Sequence, residues 1–158
     1  MKTNASSTSL RVTARLENLA TIRRFVEETV TALDINPDAV ADIVLAVDEV
    51  VSNIVVHGYR GQPGPIEIEV KHGRGTLAIC IRDEAFPFNP TSVPPPDLTL
   101  PLEQRAIGGI GIHLIRQVME KVIHRITPQG GNELLLVKGL EENSEDFDIG
   151  NWKQGCFA

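Results

Sequence analysis

Residues 45–59 read Leu45-Ala46-Val47-Asp48-Glu49-Val50-Val51-Ser52-Asn53-Ile54-Val55-Val56-His57-Gly58-Tyr59. They continue an apolar run that begins at Val40. Upstream, Asn36-Pro37 offers a capping side chain followed by proline at the first helical position. The pattern predicts a helix from Asn36-Pro37 to about His57, just before Gly58. A helix this apolar is buried on more than one face. Valine and isoleucine dominate it, so packing rather than propensity must hold it. One narrow polar stripe crosses it: Asp42, Glu49, Asn53, His57 and Arg60. Glu49 and Asn53 are four apart and stack on one face, with His57 one turn further on. The stripe reads either as a solvent edge or as a carboxylate and an amide aimed into a cleft. A carboxylate can orient or deprotonate a nucleophile, and an amide oxygen suits Mg²⁺. Asp48 and Ser52 form a neighbouring pair, read as a cap of the apolar face or a solvent edge.

Working outward, residues 10–16 alternate as a half-buried strand, and residues 18–33 carry apolar positions at helical spacing, with Asn18 as cap. Beyond the central helix, residues 66–70 and 76–82 read as a hairpin around His72-Gly73-Arg74-Gly75. Residues 84–107 lack periodicity and hold six of the ten prolines, a lid or binding loop by length. A helix over 109–120 and strands at 122–127 and 133–138 follow, the last pair joined by Gly130-Gly131-Asn132. The order β-α-α-β-β-loop-α-β-β predicts an α/β two-layer sandwich, a mixed sheet with helices on one face. Residues 1–9 read as a disordered arm, 10–140 as one domain and 141–158 as an acidic tail.

Composition narrows the function. The chain has 158 residues and a net charge of −6, which argues against direct nucleic-acid binding. Most of that charge sits in residues 141–158, net −4, and leaves a nearly neutral body. No apolar run is long enough to span a membrane, and the polar N-terminus has no signal-peptide core. The two cysteines, Cys80 and Cys156, are too few for a structural zinc site or a disulfide framework. Cys80 reads as core packing, and a cytoplasmic location is expected.

Two further features carry chemistry. Gly108-Gly109-Ile110-Gly111 at a helix start can bring backbone N–H groups close to an anion, or can simply let a loop turn into a helix. Neither a P-loop nor a dinucleotide fingerprint fits it. Arg105 reads as a contact to a terminal phosphate or as a solvated loop charge. Asp83, at a strand end, can accept from a base amino group or initiate a turn.

Together and in this order, the three motifs resemble the Bergerat-fold (GHKL) ATP-binding superfamily, and within it the anti-sigma-factor serine kinases. Residues 45–59 look like that group's N-box, which tends to end in His-Ala-Tyr. Arg82-Asp83-Glu84-Ala85-Phe86-Pro87-Phe88-Asn89-Pro90 looks like its G1 box, and Gly108-Gly109-Ile110-Gly111-Ile112-His113-Leu114-Ile115-Arg116 like its G2 box. The resemblance covers residues 10–139. It implies that Glu49 is the general base or orients the attacking hydroxyl, that Asn53 holds Mg²⁺, and that Asp83 binds the adenine amino group. Gly109 and Gly111 would cradle the phosphates with the neighbouring amides of Gly108 and Ile110. The 84–107 loop would be the ATP lid. His57 is a phosphate contact or a helix-end packing residue. Ala85 and Phe88 fall in the nucleotide pocket, and Arg105 beside the phosphates.

By this resemblance the chain is an ATP·Mg²⁺-dependent serine/threonine protein kinase. It phosphorylates a STAS-type anti-anti-sigma partner and sequesters a sigma factor, and a homodimer is compatible with it. The sequence departs from the family in one box: where the G1 box usually reads Asp-x-Gly-x-Gly, Ala85 and Pro87 stand at the glycines. That departure sustains the alternative, a catalytically weak or nucleotide-free module that regulates by protein binding alone.

Overall fold

Valine and isoleucine lower helix propensity, so helices rich in them lean on packing, and here a sheet supplies it. In the computed structural model the described residues are 6–73, 75–90, 99–101 and 109–140. The elements are β1 (Ser6–Thr13), a 3-10 turn (Leu16–Asn18), α1 (Leu19–Thr31), α2 (Pro37–Asn53), a π turn (Ile54–Gly58), β2 (Pro65–Gly73), β3 (Thr76–Asp83), α3 (Gly109–Val118), β4 (Lys121–Ile126) and β5 (Asn132–Gly139). Asn36 caps α2 through its side chain, which accepts from the Asp38 N–H at 2.8 Å, with Pro37 opening the helix.

The strands form one sheet in the order β1-β2-β3-β5-β4. Period-two alternation sorts its side chains. Ile66, Ile68, Val70, Leu77, Ile79, Ile81, Leu134 and Leu136 face the helices, where they meet Val26, Val30, Ile43, Val47 and Val51. Ala78, Cys80, Leu135 and Val137 form a separate cluster on the other face. The expected two-layer sandwich is what the chain adopts. Within it, all four pairings are antiparallel, where a mixed sheet is expected. The reason is topological. β3 and β4 run parallel, as strands joined through one helix should, but the hairpin partner β5 inserts between them and pairs with both.

Two element boundaries and one cysteine differ from expectation. β1 starts at Ser6, pairing with His72, so residues 6–9 are strand rather than arm. The α-helix ends at Asn53, and Ile54–Gly58 widen into a π turn closed by the Tyr59 N–H to Ile54 O at 2.8 Å. Cys80 is buried and disulfide-bonded. Two cysteines suffice for one bond though not for a framework, so the cysteine count is no guide to compartment; Cys156 lies outside the described residues. The expected arm at 1–5, most of the lid (91–98 and 102–108) and the acidic tail at 141–158 also lie outside them. Among the described residues, no helix is long and apolar enough to cross a membrane.

The outer face carries a row of charges across all five strands. Arg11, Glu67, Arg82, Glu133 and Arg125 are successive register partners from β1 to β4. Arg11 pairs with Glu67. The buried Glu133 accepts from Arg82 at 2.9 Å and from Arg125 at 2.8 Å. Opposite charges placed directly across strands favour this register over a slipped one. The row lies one residue in from the sheet end where β3 leads into its loop.

Candidate active site

The last residue of β3 is Asp83, and its register partner across the sheet is Asn132, the first residue of β5. By alternation both belong to the helix-facing side, beside the end of α2. Asp83 is buried. Its Oδ1 accepts from the Ala85 N–H and from Asn132 Nδ2, both at 2.9 Å. Oδ2 takes no hydrogen bond among the described residues, so it is the oxygen left for an outside donor. Burial pushes the Asp83 carboxyl above its ordinary value, against the lowering pull of Asn132, the Ala85 amide and the nearby His124.

The segment that follows is tied at Glu84, Ala85, Phe86 and Phe88. The Glu84 N–H donates to the Tyr59 hydroxyl at 2.7 Å, and that hydroxyl donates to Pro65 O at 2.7 Å. Burial raises the Tyr59 pKa, which keeps the phenol protonated for this second bond. The Phe88 N–H donates to Asn132 Oδ1 at 2.9 Å. Phe88 thus reaches the site through its backbone, while its ring and that of Phe86 are exposed.

Ala85, at a glycine position of the expected box, is buried. Gly58 of the π turn faces it: a Cβ placed on Gly58 would lie 3.1 Å from the Ala85 Cβ. The methyl that the G1 box lacks is therefore accommodated by a methyl missing from the N-box, where Gly58 stands in place of alanine. Gly131 makes a second close approach. A Cβ there would lie 3.0 Å from the Glu84 Cα and 3.2 Å from the Asp83 carbonyl carbon. Only glycine lets the β4–β5 turn run this close to Asp83.

Glu49 and α3 meet directly. A Cβ on Gly111 would collide with Glu49 Oε2 and lie 3.1 Å from its Cδ. The N-box carboxylate therefore rests against the glycine-rich start of α3, which begins at Gly109. Asn53 is half-buried at the last α-helical position, four residues on from Glu49. His57 is exposed on the π turn. Bonding of the i+5 kind does not continue the i+4 stack, so His57 departs from the Glu49–Asn53 line. Arg60, also expected in the stripe, has a φ of +52° beyond that turn. Asp42 and Asp48 are held by ion pairs, Asp42 with Lys138 at 3.2 Å and Asp48 with Arg23 at 2.8 Å. Asp48 is thus the solvent-edge residue of its pair with Ser52. Arg105 and Gly108 lie outside the described residues, as does the side chain of Ile110.

The fold thus makes two contacts along the α2 segment: Glu49 meets Gly111 at the start of α3, and Gly58 meets Ala85, whose amide bonds Asp83. Sequence reasoning missed Asn132, Gly131 and Tyr59. Asn132 reads as a turn residue after two glycines. Its signal is a polar side chain opening an otherwise apolar strand, directly opposite Asp83.

A ligand fit can be judged on these atoms. The spare carboxylate oxygen of Asp83 suits an amino donor, and the glycine start of α3 suits an anion. Among the described residues no group of three or more His, Cys, Asp or Glu side chains could hold a metal alone. The amide oxygen of Asn53 is a hard donor of the kind Mg²⁺ accepts.

Comparison with known proteins gives the same reading of the fold. The family described as "Histidine kinase-like ATPase domain" matches residues 12–138. The serine-protein kinase RsbW of Bacillus mycoides is 26% identical over 143 residues, covering 88% of each chain. The RsbW of Bacillus anthracis is 27% identical over the same length and coverage. Among solved structures, the RsbU and RsbW domains of Rv1364c from Mycobacterium tuberculosis align with a TM-score of 0.60 at 18% identity. That alignment covers 85% of this chain and 32% of the other, so the chain spans about a third of that protein's length. With the family pattern running through β1, α2, Asp83 and β5, the chain belongs to the histidine kinase-like ATPase family, the Bergerat-fold group that its three motifs resemble.

Proposed function

We propose that the chain is a serine/threonine protein kinase of the anti-sigma type. It binds ATP with Mg²⁺, phosphorylates a STAS-type anti-anti-sigma protein, and sequesters a sigma factor while that partner is phosphorylated. The observation that carries this reading is the contact between Glu49 and Gly111. It sets a carboxylate beside the backbone of a glycine-rich helix start, and phosphoryl transfer needs that pairing of proton acceptor and anion cradle. The names of the RsbW relatives support the kinase assignment.

The residue roles are those the family resemblance implies, and the contacts around Glu49 and Asp83 are compatible with them. Asp83 Oδ2 accepts from the adenine amino group and orients the base. The amides at 109–111 and the α3 dipole receive phosphate oxygens. Asn53 offers its amide oxygen to Mg²⁺, which when bound neutralises phosphate charge. Glu49 accepts the proton of the attacking serine hydroxyl as its oxygen bonds to the γ-phosphorus and ADP leaves.

Ala85 and Pro87 favour the second reading, a module that regulates by binding a partner without nucleotide. The seat that Gly58 provides for the Ala85 methyl weighs against it, because the substitution is absorbed inside the fold. Incubation with labelled ATP and a STAS-domain protein tests the two readings. Serine phosphorylation that disappears in Glu49→Ala supports the kinase. Wild-type activity in that variant overturns the role of Glu49.

A further inference from the structure

We propose that Asn132 is a positioning residue for nucleobase recognition: it fixes the Asp83 carboxylate and the 85–88 segment as one rigid receiver for the 6-amino group of a purine. This rests on the reading of Asp83 as the base acceptor.

Asn132 is buried, and its amide binds on both sides. Nδ2 donates to Asp83 Oδ1 at 2.9 Å and lies 3.2 Å from Phe86 O and 3.3 Å from Ala85 O. Oδ1 accepts from the Phe88 N–H at 2.9 Å and lies 2.8 Å from His124 Nε2. This pattern leaves one orientation of the amide. A backbone N–H faces one end, which must be oxygen, and a carboxylate with two carbonyls faces the other, which must be nitrogen. His124 Nε2 then carries a proton and donates.

The consequence falls on Asp83. With Oδ1 held by two donors, rotation of the carboxylate is blocked and Oδ2 is presented in one direction. The same amide pins the loop at Ala85, Phe86 and Phe88, where the usual glycines are absent. Ala85 and Pro87 restrict the backbone here, and Asn132 selects the conformation it keeps. A buried amide satisfied on every side specifies one arrangement. Aspartate at 132 would set a second carboxylate against Asp83, and alanine would release the carboxylate and the loop together.

The test compares ATP with purine riboside 5′-triphosphate, which lacks only the 6-amino group, by calorimetric titration of the full chain with Mg²⁺. Wild type should prefer ATP by about tenfold or more, the worth of a hydrogen bond to a charged acceptor. Asn132→Ala should lose most of that preference while still binding both ligands. Asn132→Ser, which keeps a small polar side chain, serves if the alanine variant fails to fold. Asp83→Asn should abolish the preference, and adding Asn132→Ala should then change it no further. A purely structural role would weaken both ligands equally and leave the ratio intact. An intact ratio in the Asn132 variants overturns the proposal while the reading of Asp83 stands. A wild type that does not distinguish the two ligands, or binds neither, overturns both.

Discussion

The carboxylate of Glu49 occupies the space that a side chain at Gly111 would need. The Cβ that residue 111 lacks leaves room for the acid in its present position. Gly111→Ala should push Glu49 out of place. Phosphotransfer should fall by about a hundredfold, the lower end of what a positioned general base contributes. Glu49→Ala should remove transfer and leave ATP affinity within a few-fold of wild type. Single-turnover assays beside equilibrium binding separate the two effects.

Gly58 and Ala85 form a complementary pair. Gly58→Ala would bring two methyl groups to 3.1 Å, a contact the surroundings can relieve only by moving. A loss of about 1–3 kcal/mol is expected, as for overpacking elsewhere. Ala85→Gly should recover most of it in the double variant. Urea denaturation of all four forms of the cycle measures the coupling.

Asp83 links the site to pH. Burial raises its folded pKa above the ordinary 3.8. Its favourable contribution to stability is therefore present below that value and is lost as pH rises through the folded pKa. Asp83→Asn keeps an oxygen for Ala85 and Asn132 but carries no charge. It should melt no lower than wild type at neutral pH, and its advantage should vanish below about pH 3.8. The same change turns an amide N–H₂ toward the base amino group, so ATP affinity should fall by about tenfold or more. In wild type, ATP affinity should fall as acid protonates Asp83. Thermal melts and titrations across about pH 3–8 check both signs.

Glu133 is the buried centre of the charge row on the outer face. Glu133→Ala would leave Arg82 and Arg125 without their shared acceptor. Because both arginines are about a third or more exposed, solvent screens part of the loss. A destabilisation of about 1–3 kcal/mol is expected, below the range for a fully buried pair. Exposed Arg11→Ala, at the edge of the same row, should cost less than about 1 kcal/mol. Chemical denaturation distinguishes the two.

Much of this architecture is legible in the sequence because it rests on local chemistry. Asn36-Pro37 marks the start of α2 by a cap that forms as written. The alternation in residues 66–70 and 76–82 marks the hairpin and the face it buries. Other features depend on contacts across the sheet, which no local pattern encodes. The pairing of Asp83 with Asn132 arises only when β5 inserts between β3 and β4, the step that also makes the sheet antiparallel throughout. The partnership of Gly58 with Ala85 likewise joins two motifs that read separately in the chain. The π turn escapes notice because Ile54-Val55-Val56 is apolar throughout and carries no phase. The Glu49–Asn53 pair is legible because both residues fall within the regular part of the helix; His57, just beyond it, is displaced.

Calorimetric titration of the full chain with ATP, with and without Mg²⁺, tests the account most directly. Magnesium-dependent binding by wild type, weakened in Asn53→Ala and in Asp83→Asn, is the predicted result. No binding up to millimolar ATP would contradict it and leave the chain as a partner-binding module on an ATPase fold.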